Sequence, residues 1–179
     1  MIYHMVTEPN PLLHAPSRVL TRAEISTKKI QTFIQDMIAT MYAKDGVGLA
    51  AVQVGQPLQL CVILKSYNTL NPRQDLCLIN PIWTKLSRHQ EWGQEGCLSV
   101  PGIYGHIKRY AKIKVSALNE QGQLLEFIAE DFFARIVQHE VDHLNGHLYV
   151  EKAKDFFSVT KEKSKKERTS RLLKPAPDA

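Results

Sequence analysis

Cysteine is scarce in this chain, with only Cys61, Cys77 and Cys97 in 179 residues. An odd number without framework spacing excludes a disulfide scaffold. No apolar run approaches the roughly 18–20 residues that cross a bilayer, so no membrane span is expected. The start, Met1-Ile-Tyr-His-Met-Val-Thr-Glu, lacks the basic-then-apolar order of a secretory signal, and the expectation is a cytoplasmic protein. Internal repeats and a second domain are also missing. What remains is a globular composition, 44% hydrophobic and 23% charged, at a length that suits one domain with a substantial core.

Charge is unevenly placed. The net +5 sits at one end: residues 152–179 hold nine Lys/Arg against four Asp/Glu, while residues 1–151 hold fourteen of each. The expected division is a neutral domain over 1–152 and a basic helix or tail over 153–179.

Apolar periodicity predicts a first helix from about Ser26 to Ala43, since Ile30, Phe33, Ile34, Met37, Ile38 and Met41 recur at i, i+3, i+4, i+7 spacing. Ser26 or Thr27 can cap its start, and Asp45-Gly46 ends it. Strand-like runs follow at about 58–64, 76–82, 84–91, 112–118 and 123–129, separated by Asn, Pro and Gly turn signals. A second helix is expected from about Asp131, a plausible cap, to Asn145, with Gly146 as its left-handed stop. From Asp155 the chain reads as a weakly amphipathic, Lys-rich helix. One helix, several strands, then one helix argues for an α+β domain. Cys61 and Cys77 lie inside apolar runs and read as small buried residues. Cys97 is read as lying in a Gly-flanked loop where packing gives little reason for it.

The most informative segment is His139-Glu140-Val141-Asp142-His143, a HExxH pattern on the second helix. Residues four apart stack on one helical face, so two imidazoles can grip one metal ion with Glu140 beside its open position. Ile136, Val137, Val141 and Leu144 make this a core helix, where two uncompensated histidines and a glutamate would be costly to bury; a metal offsets that cost. A catalytic site needs a third protein ligand. Downstream the candidates are His147 and Glu151; upstream, Glu95-Gly96-Cys97-Leu98-Ser99-Val100-Pro101 offers a thiolate. The segment Gly46-Val47-Gly48-Leu49-Ala50-Ala51-Val52-Gln53-Val54-Gly55 is rich in small residues and lets another backbone approach closely. Its glycine spacing fits a dinucleotide fingerprint poorly, and Gln53 is its one polar side chain.

Three segments, GVGLAAVQ, EGCLSVP and QHEVDH, resemble the signature motifs of the peptide deformylase family, in order and at typical separations, over about residues 1–150. The resemblance implies small mixed β-sheets packed around a central HExxH helix, with an N-terminal amphipathic helix and a C-terminal tail or helix. It also implies removal of the N-formyl group from nascent polypeptides that begin with formylmethionine. Carried over residue by residue, the metal ligands would be Cys97, His139 and His143. Glu140 would be general base and proton shuttle, with the Gln53 amide and the Leu98 backbone N–H as donors to the reacting carbonyl oxygen. Gly48 would offer its backbone to the peptide, and Val47, Glu95, Phe132 and Ile136 would line or support the methionine pocket, although Glu95 could instead pair with Arg109. Asp142 could orient a ligating imidazole or be a plain helix-surface aspartate. One divalent ion is implied, Fe²⁺ commonly, and Zn²⁺, Ni²⁺ or Co²⁺ suit the same donors.

The sequence departs from the family after Val100-Pro101. Many members continue with a Glu-Gln-Arg-like segment, whereas here Gly102-Ile-Tyr-Gly-His-Ile107 follows, with Tyr104 near the arginine position; an exposed loop tyrosine is expected. In bacterial members a C-terminal helix can dock on the ribosome, and Lys161, Lys163, Lys165, Lys166, Arg168 and Arg171 would suit RNA phosphates. A general metallopeptidase using the same helix is the competing enzymatic reading.

Overall fold

Two hydroxyl caps divide the first helical region. In the computed structural model, which describes residues 1–158, a single turn, α1 (Arg22–Ile25), is capped by Thr21, and α2 (Lys28–Ala43) is capped by Thr27. The Thr27 hydroxyl donates to the Glu24 carbonyl at 2.6 Å and accepts from the Ile30 N–H, so one residue ends the first helix and starts the second. The stripe on α2 is buried as its spacing requires, with Ile38 half-buried at its edge. Each such burial is worth roughly 1.5–3 kcal/mol. Asp45, at φ 55°, occupies the left-handed position that terminates α2.

The strands are β1 (Gly48–Ala50), β2 (Leu60–Ile63), β3 (Leu76–Lys85), β4 (Gln90–Cys97), β5 (Val100–Tyr110), β6 (Lys112–Leu118) and β7 (Leu124–Glu130). Helix α3 (Asp131–Leu144) follows, and β8 (Lys154–Ser158) closes the described chain. They form a five-stranded sheet in the order β1-β2-β3-β6-β7 and a three-stranded sheet in the order β4-β5-β8, with every paired strand antiparallel.

The first three strands are covered on both faces. Cys61, Ile63 and Leu78 join α3 in one core, while Leu60, Val62, Cys77 and Ile79 pack with the α2 stripe in another. Double burial explains why these strands read as continuous apolar runs. A third cluster of Leu13, Val100, Ile107, Leu148 and Tyr149 includes two β5 residues. Helix α3 thus lies between the two sheets and can present side chains to both.

The structure corrects several boundaries. The run at 84–91 is not one strand: β3 ends at Lys85 and β4 starts at Gln90. Cys97 therefore ends a strand rather than sitting in a loop. Asp131 is not the cap of α3; Glu130 takes that place without a side-chain hydrogen bond. Asp131 is the first helical residue, at φ 51°, and its N–H donates to the Ala111 carbonyl at 2.8 Å. Gly146 does stop the helix, at φ 79°, and a Cβ there would lie 2.8 Å from the His14 backbone. The expected tail helix is not what begins at Asp155: residues 154–158 are extended and pair with β5, with Tyr104 opposite Phe157. The remainder of that expectation, residues 159–179, lies outside the described residues. Among the described residues no helix is long and apolar enough to cross a membrane.

Candidate active site

Helix α3 brings His139 and His143 one turn apart, with ring centroids 4.8 Å from each other. The end of β4 delivers Cys97 against them, its Sγ 3.1 Å from His143 Nε2. One donor atom from each of the three residues falls within 4.8 Å of the others, the only such cluster among the described residues. The downstream alternatives are elsewhere: His147 Nδ1 and Glu151 Oε2 pair with each other at 3.0 Å.

Behind these donors stands a buried ionic cluster centred on Glu95. Arg109 donates to it through Nε and Nη2, both at 2.9 Å, Arg135 through Nη1 at 2.9 Å, and the His139 Nδ1–H at 2.8 Å. This last bond fixes the His139 ring and leaves Nε2 on the cysteine side, the tautomer a metal ligand needs. Glu95 therefore takes the orienting role that was one of two readings open for Asp142. Asp142 is held by Arg109 instead, because the guanidinium bridges both carboxylates. Burial works to raise the Glu95 carboxyl, but hydrogen bonds and charges from His139 and Arg109 outweigh it and hold it well below its ordinary range. Tyr149 stacks on the far side of the His139 ring at 6.0 Å.

The donor set fits a divalent transition metal. Burial opposes ionisation of Cys97, yet the charge of His143 and hydrogen bonds from both imidazoles bring its thiol down to about 5. His139 is pushed well above its usual value despite burial, by its bonds to Cys97 and Glu95. Both directions favour an ionised sulfur, the form in which cysteine binds a metal. One soft sulfur and two imidazole nitrogens are ligands for zinc or iron rather than for calcium or magnesium.

Glu140 and Gln53 flank the cluster. Glu140 is 3% exposed, and its Oε2 has no hydrogen-bond partner among the described residues. Burial lifts its carboxyl to about 7, against the lowering charges of His139 and His143. Gly48 makes room for it: a Cβ there would sit 2.3 Å from Glu140 Oε1. Gln53 is held on the short 3-10 turn Ala51–Val54, where its Oε1 accepts from the Ala50 N–H at 2.9 Å. That bond turns the amide nitrogen outward, to donate to Cys97 Sγ at 3.3 Å and Ser99 Oγ at 3.1 Å. Leu98 and Ser99 form the two-residue turn between β4 and β5, and the Leu98 N–H makes no hydrogen bond among the described residues. The N-terminal segment reaches across both features. The Val6 N–H donates to the Gln53 carbonyl at 2.8 Å and the Glu8 N–H to the Ser99 carbonyl at 3.0 Å.

A cleft of about 740 Å³ opens over this assembly. Ten of the eleven residues expected from the sequence line it: Val47, Gly48, Gln53, Glu95, Cys97, Leu98, Phe132, Ile136, His139 and Glu140. His143 is buried behind Cys97. Phe132 forms an outer wall, edge-on to Tyr67 at 5.1 Å. Sequence reasoning missed Arg135, Ser99 and Tyr149. Arg135 could have been found, since it stands one helical turn before His139 on the same side of the helix. Tyr104 also lines the cleft, and it is half-buried on β5 rather than exposed in a loop.

Comparison with known proteins agrees with this arrangement. The family model for polypeptide deformylase matches residues 2–158. The peptide deformylase of Syntrophomonas wolfei is 42% identical over 152 residues, covering 85% of this chain and 93% of that protein. Peptide deformylase 2 of Vibrio cholerae is 38% identical over 174 residues, covering 97% and 96%. Among solved structures, the class I type b peptide deformylase of Acinetobacter baumannii bound to Met-Ala-Ser superposes with a TM-score of 0.79 at 33% identity, covering 85% of this chain and 98% of that one. The chain belongs to the peptide deformylase family.

Proposed function

We propose that Cys97, His139 and His143 hold a single divalent ion, Fe²⁺ by preference, and that Glu140, Gln53 and Leu98 carry out the chemistry beside it. The reaction is that of the family: hydrolysis of the N-formyl group from nascent chains beginning with formylmethionine, releasing formate. When bound, the ion supplies a Lewis acid that lowers the pKa of water toward neutrality.

The protein's own groups do the rest. Glu140, buried with one oxygen unpartnered, takes a proton from the attacking water and returns it to the departing amine. Such a role is worth roughly 10²–10⁴ in rate. The Gln53 amide and the Leu98 N–H donate to the oxygen that gains negative charge. The Gln53 side chain is pre-aimed by its bond to Ala50, and the Leu98 amide has no competing acceptor. Gly48 lets the Glu140 carboxylate come close, and a cramped site beside it would admit a formyl hydrogen while rejecting an acetyl methyl.

Val47, Phe132 and Ile136 give the methionine side chain its apolar walls. Glu95 contributes mainly by holding His139, because hydrogen bonds occupy both its oxygens. The peptide lies extended along the Gly46–Gly48 segment as an added strand, a mode that reads main chain rather than sequence. The Met-Ala-Ser bound to the Acinetobacter relative supports a groove at least three residues long. The basic residues beyond Ser158 dock on ribosomal RNA, where formylated chains emerge, and the enzyme works in the cytoplasm. Their charge supports this, and loss of salt-sensitive ribosome binding on deleting residues 159–179 would test it.

The observation that carries the reading is the meeting of a cysteine sulfur and two imidazoles beside a buried Glu140 side chain with one unpartnered oxygen. The test is anaerobic formate release from a formyl-Met peptide, with metal analysis of the same sample. Iron-loaded protein should exceed zinc-loaded protein. A sample that binds iron stoichiometrically yet releases no formate defeats the proposal.

A further inference from the structure

We propose that the outer face of the three-stranded sheet binds single-stranded RNA, with Trp92, His106 and Phe157 as stacking surfaces for bases and Lys108 and Lys154 as partners for phosphates. Successive side chains of a strand point to opposite faces. Glu95 takes the buried face on β4, and Gly105, Ile107 and Arg109 take it on β5. Trp92, His106 and Lys108 alternate with these and therefore face away from α3. None of the five proposed contact residues lines the cleft, so the surface is a second one.

Strand register sets rings and cations side by side. Trp92 pairs with Lys108 across β4 and β5, and His106 pairs with Lys154 across β5 and β8. Lys108 Nζ lies 5.2 Å and Lys154 Nζ 6.0 Å from the centre of the Trp92 ring. The Phe157 ring lies 5.9 Å from that of His106. Two residues beyond Lys108 the pattern repeats, with Lys85 Nζ 5.5 Å over the Tyr110 ring. Trp92 nevertheless leaves 51% of its surface to solvent, and Phe157 is exposed as well. A lysine over an exposed ring is held weakly. A base that covers the ring displaces the ammonium, which then meets the phosphate of the same strand.

Charge and shape choose the occupant. Lys85, Lys108 and Lys154 are all exposed. Of the acids on β4 and β8, Glu91 alternates to the other face and pairs with His89 at 3.1 Å, and Asp155, at φ 52°, sits between Lys154 and Phe157. The cations therefore outnumber the acids along this stripe. An acidic peptide would satisfy the lysines and leave the rings uncovered. A polynucleotide supplies both a phosphate and a π-face with every residue, and only an unpaired strand has its bases free to stack. RNA is the polymer beside which an enzyme of nascent chains works, a choice that rests on the proposed reaction.

The experiment titrates the full-length, iron-loaded enzyme into a fluorescein-labelled oligouridylate of about 12 nucleotides and follows anisotropy at about 50 mM salt. Trp92→Ala should weaken Kd by about tenfold, the range of one lost base stack, and Trp92→Phe should keep it within threefold of wild type. Replacing Lys108 and Lys154 together by Gln should reduce the slope of log Kd against log salt by about 1.4. The chain has two tryptophans. In a Trp83→Phe background, bound RNA should therefore quench the fluorescence of Trp92, a signature that charge attraction alone does not give. No binding by wild type, a Trp92→Ala affinity within twofold of wild type, or unquenched Trp92 overturns the proposal. Equal affinity for an RNA duplex, or displacement of the RNA by polyglutamate at equal charge, overturns it too and points to a surface for charge alone. Formate release from formyl-Met-Ala-Ser should be unchanged in Trp92→Ala. Its failure in the wild-type protein would overturn the reading of the metal site, and the RNA affinities would still decide this face.

Discussion

Adding one methyl group at Gly48 should disable the enzyme while leaving it folded. The new Cβ would meet Glu140 at 2.3 Å from Oε1, 2.8 Å from Cδ and 3.0 Å from Cγ. Ordinary contact begins at 3.4 Å, so the carboxylate has to retreat by roughly 1 Å. It has little room, since α3 is packed between the two sheets and Glu140 is buried. Misplacement of a reacting group by about 1 Å can cost on the order of 10² in rate, and loss of a general base about 10²–10⁴. A fall in kcat/KM of about 10²–10³ is expected for Gly48→Ala, with an overpacking cost of about 1–3 kcal/mol in stability. Formate release coupled to formate dehydrogenase measures the first, and urea unfolding the second. The cycle with Glu140→Ala isolates the mechanism. In that background Gly48→Ala should have almost no further effect, because the group it displaces is gone. Activity within threefold of wild type, or full additivity in the cycle, would refute the steric argument.

Three further outcomes follow from the same geometry. Glu95→Gln leaves Arg109 and Arg135 short of a buried carboxylate and should destabilise the fold by about 3–5 kcal/mol, measured by urea unfolding. Because the Glu95 carboxyl is held below its ordinary value of 4.5, its contribution is complete above that pH and is lost as the pH falls toward the folded value, so the acid decline in wild-type stability should flatten in Glu95→Gln. Cys97→Ala removes the sulfur from the donor cluster, and metal analysis after dialysis should find at least tenfold less bound iron, with the circular dichroism spectrum unchanged. Gln53→Ala removes a proposed donor and should lower kcat by about 10²–10³ at nearly constant metal content; a loss below fivefold would assign Gln53 to structure alone.

The parts legible in the sequence were those with a strong period or a fixed spacing. The α2 stripe and the HExxH turn announce themselves because a helix must repeat a face. Strands β2, β3, β6 and β7 are continuous or alternating apolar runs, and they emerged near their observed limits. Strand β5 did not, because its burial alternates only from Gly105 onward and the buried positions there include a glycine and Arg109, so the sequence carries no apolar period. Strand β8 is exposed at every residue, and its pairing depends on an open edge of β5 that no local pattern reveals. The proposed ligand triad could be carried over by motif, but the residue that orients His139 could not be deduced from spacing. Asp142 and Glu95 were both available, and the choice was made by Arg109, thirty-odd positions from one and fourteen from the other. Long-range ionic pairing leaves no periodic trace.

The hydrogen bonds from Val6 and Glu8 give the front of the chain an unexpected say in the chemistry. Those two amides add backbone ties between the segment bearing Gln53 and the turn bearing Leu98, beside the side-chain bonds from Gln53 to Cys97 and Ser99. Fusing a bulky partner close to Thr7, or trimming back to Pro9, would loosen both proposed oxygen-binding donors at once without touching a proposed metal ligand. Such a protein could take up its full complement of iron and still turn over slowly, so metal stoichiometry is a poor certificate of competence for variants altered at their amino terminus.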